Sequence, residues 1–114
     1  MQTEDRLCIL WTSADREVAL HMAFMYALNA TMRSWFDVVA LIVWGPSAKL
    51  LAEDQELQYH VRKMIDVGVA VFACKACSDT YGVTAELSAL GIDVKYMGAP
   101  MTEMLKCGWK TLTV

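Results

Sequence analysis

Two cysteines three residues apart, in Cys74-Lys75-Ala76-Cys77, are the strongest chemical signal in the chain. They follow a continuously apolar run, Val69–Ala73, and open a stretch with helical character that Gly82 ends. This is the junction of a buried strand with a helix N-terminus, where unpaired backbone N–H groups favour thiolate over thiol. A thiol of pKa ~8.5 in a free peptide falls to about 3.5–7.5 in such settings. Lys75 adds a cation beside them. Spacing of i, i+3 puts both sulfurs on one face of the first turn. Such a pair can close a disulfide, share a metal, or act as attacking and resolving thiols; packing as two small buried residues is the competing reading.

A structural zinc site draws on about four ligands, generally two such pairs. Here there is one C-x-x-C, and Cys8, Cys107, His21 and His60 lie far from it in sequence. No metal is expected within one chain. Cys8 sits mid-strand and reads as core; Cys107, before a glycine, reads as exposed or interfacial. His21, among Met22, Phe24, Met25 and Leu28, reads as a core or interface residue, and His60, in a polar stretch, as surface. Neither has a carboxylate partner evident from the sequence. Neither G-x-G-x-x-G nor G-x-x-x-x-G-K-[ST] occurs, nor a G-x-S-x-G elbow, so no nucleotide or other cofactor is expected.

The elements that must position the cysteines alternate. Arg6–Thr12, Asp37–Trp44 and Val69–Ala73 are apolar runs without polar alternation, as in parallel strands buried on both faces; Ile92–Tyr96 and Trp109–Val114 are two further candidates. Helices are predicted over 15–33, with Ser13 or Asp15 as N-cap, over 46–53 with Pro46 in the first turn, and from the cap Asp54 to Val67, stopped by Gly68. Shorter ones follow over 74–81, over 84–90 with Thr84 as cap, and over 100–107. The order β-α-β-αα-β-αα-β-α-β predicts a three-layer α/β/α sandwich around a five-stranded, mainly parallel sheet, as a single domain spanning 1–114. Ligands of such folds bind beyond the carboxyl ends of the strands. That rim supplies the candidate pocket: Trp11, Ser13, Trp44, Gly45, Pro46, Lys75, Met97 and Gly98. Trp11 and Trp44 each end a strand, where an indole can wall a site for an apolar or planar ligand.

With 114 residues, 56% of them hydrophobic, the chain has more apolar surface than a small domain readily hides, and a homo-oligomer is expected. A net charge of −3 with scattered basic residues argues against nucleic acid. The acidic start, Met1-Gln2-Thr3-Glu4-Asp5, lacks the basic, then apolar, pattern of a secretory signal, and the apolar stretch Val18–Ala30 is too short to span a bilayer. A cytoplasmic protein with reduced thiols and no membrane partner is the expectation.

The chain resembles the DsrE/DsrF-like family of small α/β proteins of sulfur metabolism. The resemblance covers essentially the whole length. It rests on the first strand with Ser13-Ala14-Asp15, the strand Val38–Trp44 followed by Gly-Pro-Ser, and the run from Gly68 to Cys77. It continues through the segment from Gly91 to Gly98 and the ending from Met104 to Val114. It implies a parallel-sheet fold and assembly into trimers or hexamers. In sulfur-relay members a cysteine after the third strand receives and passes a persulfide sulfur, a role that falls by position on Cys74. Those members do not generally require a second cysteine three residues on, so Cys77 departs from the pattern. The leading expectation is a persulfide carrier or sulfurtransferase-like protein. Cys74 would accept sulfane sulfur from a donor protein and pass it to an acceptor. A C-x-x-C thiol–disulfide redox protein and an oligomeric small-molecule-binding module are the alternatives.

Overall fold

The computed structural model describes residues 4–114; Met1, Gln2 and Thr3, part of the acidic start read above, lie outside them. Five strands form one sheet: β1 (Arg6–Trp11), β2 (Val38–Val43), β3 (Ala70–Cys74), β4 (Asp93–Lys95) and β5 (Lys110–Thr113). Their order across the sheet is β4-β3-β2-β1-β5, and every pairing is parallel. The expected "mainly parallel" sheet is thus wholly parallel. Ile92 and Tyr96 flank β4 rather than belonging to it, and Trp109 and Val114 likewise flank β5.

Three successive crossovers, from β1 to β4, step in one direction and lay their helices on one face. Helix α1 runs over residues 16–32, and α2 (Pro46–Glu53), α3 (Gln55–Val67), α4 (Lys75–Tyr81) and α5 (Thr84–Ala89) follow. Leu7, Ile9, Trp11, Val39, Leu41, Val43, Val71 and Ala73 project from the sheet into this layer, meeting Phe24, Leu51, Leu57, Val61, Met64 and Leu87. The last crossover returns from β4 to β5 beneath the opposite face with a single helix, α6 (Gly98–Lys106). Alternate residues, Cys8, Ile42 and Cys74, meet Met97 and Met101 there, with Leu10, Phe72, Met104 and Trp109 half-buried around them. The three layers are therefore unequal, five helices against one.

Local chemistry explains most boundaries. Asp15 caps α1, accepting from the Glu17 and Val18 amides at 2.9 and 3.2 Å. Asp54 caps α3 through the Leu57 amide at 3.0 Å, and Gly68 ends it at φ 109°, a left-handed conformation natural to glycine. Arg16 joins the two helix starts, donating to Asp54 at 2.7 Å and pairing with Glu56. Two features differ from expectation. Ala19–Ala23 forms a π-helical turn within α1, with Ala19 and Ala23 buried in the same core as Trp11. Thr84 does not cap α5; its hydroxyl is engaged by Asp79 and Ser78 of α4, and no side chain caps that helix.

Replacing Asp54 with alanine removes both the α3 cap and the bond to Arg16. A loss of about 1 kcal/mol in urea-unfolding free energy is expected. A change below a few tenths would show that the cap contributes nothing.

Candidate active site at the β2 and β3 carboxyl ends

The site is built on one serine. Ser47, fully buried in the first turn of α2, donates from Oγ to the Trp11 carbonyl at 2.6 Å and accepts from the Trp44 amide at 3.2 Å. It thereby ties the ends of β1 and β2 to the start of α2. The chain between Trp44 and Pro46 turns at Gly45, whose φ of 73° and ψ of −141° suit glycine and strain other residues. A β-carbon there would meet only the Thr12 carbonyl oxygen, at an ordinary 4.0 Å, so torsion rather than crowding selects glycine. In this conformation the Gly45 amide lies near enough to the Cys77 thiol to favour its ionised form.

The two candidate cysteines come together but are not equivalent. Cys74 ends β3 on the thinly covered face and is 5% exposed, beneath Met97 and Met101. Cys77, in the first turn of α4, is half-buried and lines a cavity of about 220 Å³ with Gly45, Ala76, Thr80 and Tyr81. Their thiols are within hydrogen-bonding reach and both are reduced. The helix start was expected to favour thiolate. For Cys77 the balance goes the other way: burial pushes its thiol up, and the adjacent Cys74 adds to this, against a smaller opposing contribution from the Gly45 amide. Lys75 does not face the sulfurs as a free cation. Its Nζ is 2.6 Å from Asp79 and sits over the Tyr96 ring at 5.3 Å.

The remaining rim residues divide. Trp44 is half-buried against the Cys74 cluster, and Met97 is buried within it. Gly45 lines the Cys77 cavity, and Pro46 lines a neighbouring one. Gly98 is exposed at the start of α6. Trp11 is fully buried and packs edge-on against Phe24, ring centres 5.1 Å apart, so its indole belongs to the core and walls no cavity described here. Its Nε1 and the Ser13 Oγ are buried without protein hydrogen-bond partners. His21 is exposed, not packed, and has the carboxylate partner that the sequence did not announce, Glu17 one turn earlier at 3.2 Å. His60 is half-buried beside Tyr59. Cys8 is fully buried in mid-strand and its thiol is raised to about 11 by desolvation, while Cys107 is exposed. Among the described residues no three His, Cys, Asp or Glu side chains converge as metal ligands. Also among them, no helix is long and apolar enough to cross a membrane.

Alkylation should follow this exposure and ionisation. With iodoacetamide at neutral pH, peptide mass spectrometry is expected to find Cys107 modified first, then Cys77, with Cys74 later and Cys8 protected until unfolding. The Cys77 rate should still be climbing above pH ~8.5, where an ordinary thiol levels off. Modification of Cys74 ahead of Cys77 would contradict the arrangement.

No family model matches the chain, and no curated protein does. Among solved structures it is similar to MTH1491, a protein of unknown function from Methanobacterium thermoautotrophicum. The two are 18% identical over 96% of this chain and 100% of that one, with a TM-score of 0.76. The ychN protein from E. coli is also 18% identical, over 96% and 99% of the two chains, with a TM-score of 0.74. At that identity both speak to the fold alone. BT1422, a conserved protein of unknown function from Bacteroides thetaiotaomicron, is 41% identical over 96% of this chain and 95% of its own, with a TM-score of 0.93. Identity of that extent along nearly the whole of both chains shows common descent, and the protein belongs to the same family as BT1422.

Proposed function

We propose that the protein is a sulfane-sulfur carrier of the DsrE/DsrF-like kind, working through Cys77 and Cys74 in turn. The observation that carries the reading is the paired thiols with unequal exposure, Cys77 facing a cavity and Cys74 in contact behind it. The whole-length resemblance in sequence supports sulfur carriage; it puts reception on Cys74, and the burial of Cys74 behind the cavity-lining Cys77 moves the first step to Cys77. In the first step the Cys77 thiolate attacks the outer sulfur of a persulfide, R–S–SH. The donor's sulfur–sulfur bond breaks, its electron pair leaves on the inner sulfur as R–S⁻, and Cys77 becomes Cys77–S–SH. In the second, the Cys74 thiolate attacks the same outer sulfur, giving Cys74–S–SH and returning Cys77 to thiolate. No net oxidation occurs in either step. Each requires deprotonation of a thiol. The elevated Cys77 thiol makes the first step faster as pH rises. Storage on Cys74 under Met97 and Met101 protects the persulfide from water and stray thiols. The carrier reading fits a reducing cytoplasm and an acceptor protein that takes the sulfur onward.

Intact-mass spectrometry after exposure to a persulfide donor is the test. Wild type should gain one sulfur atom, Cys77→Ser none or at least tenfold less, and Cys74→Ser a short-lived adduct on Cys77. Absence of any adduct on wild type, or equal adducts on both variants, sinks the proposal.

The contact between the two thiols also favours a second reading, thiol–disulfide exchange. There Cys74 attacks the inner sulfur instead, forming the Cys74–Cys77 disulfide and releasing HS⁻. A reversible loss of two hydrogens in a glutathione redox buffer, with no sulfur gain, would identify it.

We further propose that copies of the chain assemble into trimers or hexamers. Met25, Met32, Trp35 and Tyr59 are each about half or more exposed, and α1 carries no Asp, Glu, Lys or Arg from Val18 to Met32. Sedimentation equilibrium should return three or six times the monomer mass; a monomer at micromolar concentration would refute the assembly.

A further inference from the structure

Beside the Cys77 cavity lies a second one of about 330 Å³, lined by Ala14, Pro46, Lys49, Leu50, Glu53 and Tyr81. Tyr81 is common to the walls of both, so the two adjoin at the carboxyl rim of the sheet. The outer cavity has an unusual charge pattern for an otherwise apolar hollow. Lys49 and Glu53 are exposed, opposite in sign and one turn apart on α2, which places their β-carbons roughly 5–6 Å apart. Among the described residues neither is engaged in an ion pair. The inner cavity, by contrast, offers small groups, a hydroxyl and the Cys77 sulfur.

We infer that the adjoining cavities bind a small zwitterionic persulfide of the amino-acid type as sulfur donor. Lys49 takes its carboxylate, Glu53 takes its ammonium, and the –CH₂–S–SH arm reaches past Tyr81 to Cys77. This rests on the carrier reading above and adds the class of donor to it. The size agrees: small-molecule sites occupy about 300–1,000 Å³, and a half-buried sulfur is more readily met by a thin side arm than by a folded surface. The chemistry also agrees. Transfer leaves the donor as a free amino-acid thiolate, R–S⁻, whose two charged ends stay matched while the sulfur–sulfur bond breaks.

The inference is tested by comparing initial rates of sulfur loading from cysteine persulfide and from inorganic polysulfide, for wild type and for K49M/E53Q. Both substitutions are at exposed positions, and circular dichroism verifies the fold. The ratio of the two rates is expected to fall about fivefold to tenfold in the double variant, since two partly solvated charge contacts are lost. In parallel, S-methylcysteine, which cannot transfer sulfur, is titrated into the Cys77→Ser protein. Amide shifts should move at Lys49, Glu53 and Tyr81. If wild type loads from both donors but the ratio is unchanged, or those amides stay still, the donor site is wrong while the carrier reading stands. If neither donor loads wild type, the carrier reading fails and takes the donor site with it.

Discussion

The structure depends on a constraint of handedness. Right-handed crossovers taken three times in the same direction commit α1 to α5 to one side of the sheet, and only the return to β5 can cover the other. The thick side forms a conventional core in which Trp11, Leu51, Leu57 and Met64 are almost wholly hidden. The thin side is a monolayer of Cys8, Ile42 and Cys74 beneath three methionines of one short crossover. Cys74 is buried because α6 is there, and it lies near the surface because nothing else is.

Against that background the arrangement around Cys77 is a matter of backbone placement. Ser47 fastens the ends of β1 and β2 to the first turn of α2, the fastening fixes the turn at Gly45, and the turn aims an amide at sulfur. Three residues with no reactive group thereby temper how the reactive one ionises. Burial still wins over that single amide. A thiol taken out of water loses more in solvation than one neutral donor returns, so the net direction is upward.

Much of the fold was legible because its signals are local. Pro46, Asp54 and Gly68 mark helix limits by requirements that a residue either meets or does not. The uninterrupted apolar runs gave the parallel sheet. What was not legible depends on distant neighbours. Leu7, Ile9 and Trp11 alternate with Cys8 and Leu10, but both sets are apolar, so alternation alone does not tell which face is deep. Trp11 therefore reads equally as rim or core until the one-helix layer is known. Thr84 has the composition of a cap, yet Asp79 and Ser78 compete for its hydroxyl from the preceding helix. The unequal exposure of Cys74 and Cys77 comes from Met97 and Met101, twenty or more residues downstream, and no spacing within C-x-x-C contains it. The candidate pair itself, by contrast, was visible as a motif.

Strand β5 pairs only with β1, over the register Leu7↔Lys110 to Leu10↔Thr113, joining opposite ends of the described chain. It anchors helix α6, whose Met101, with Met97 just before it, is buried against the thinly covered face of the sheet. Closing so long a loop has an entropic cost that must be met before its contacts form, which slows folding. The methionine cover over Cys74 is thus held between β4 at one end and β5 at the other. The cover of Cys74 therefore depends on four residue pairings of β5 with β1, β5 lying three strands away from β3 and remote from any sulfur chemistry.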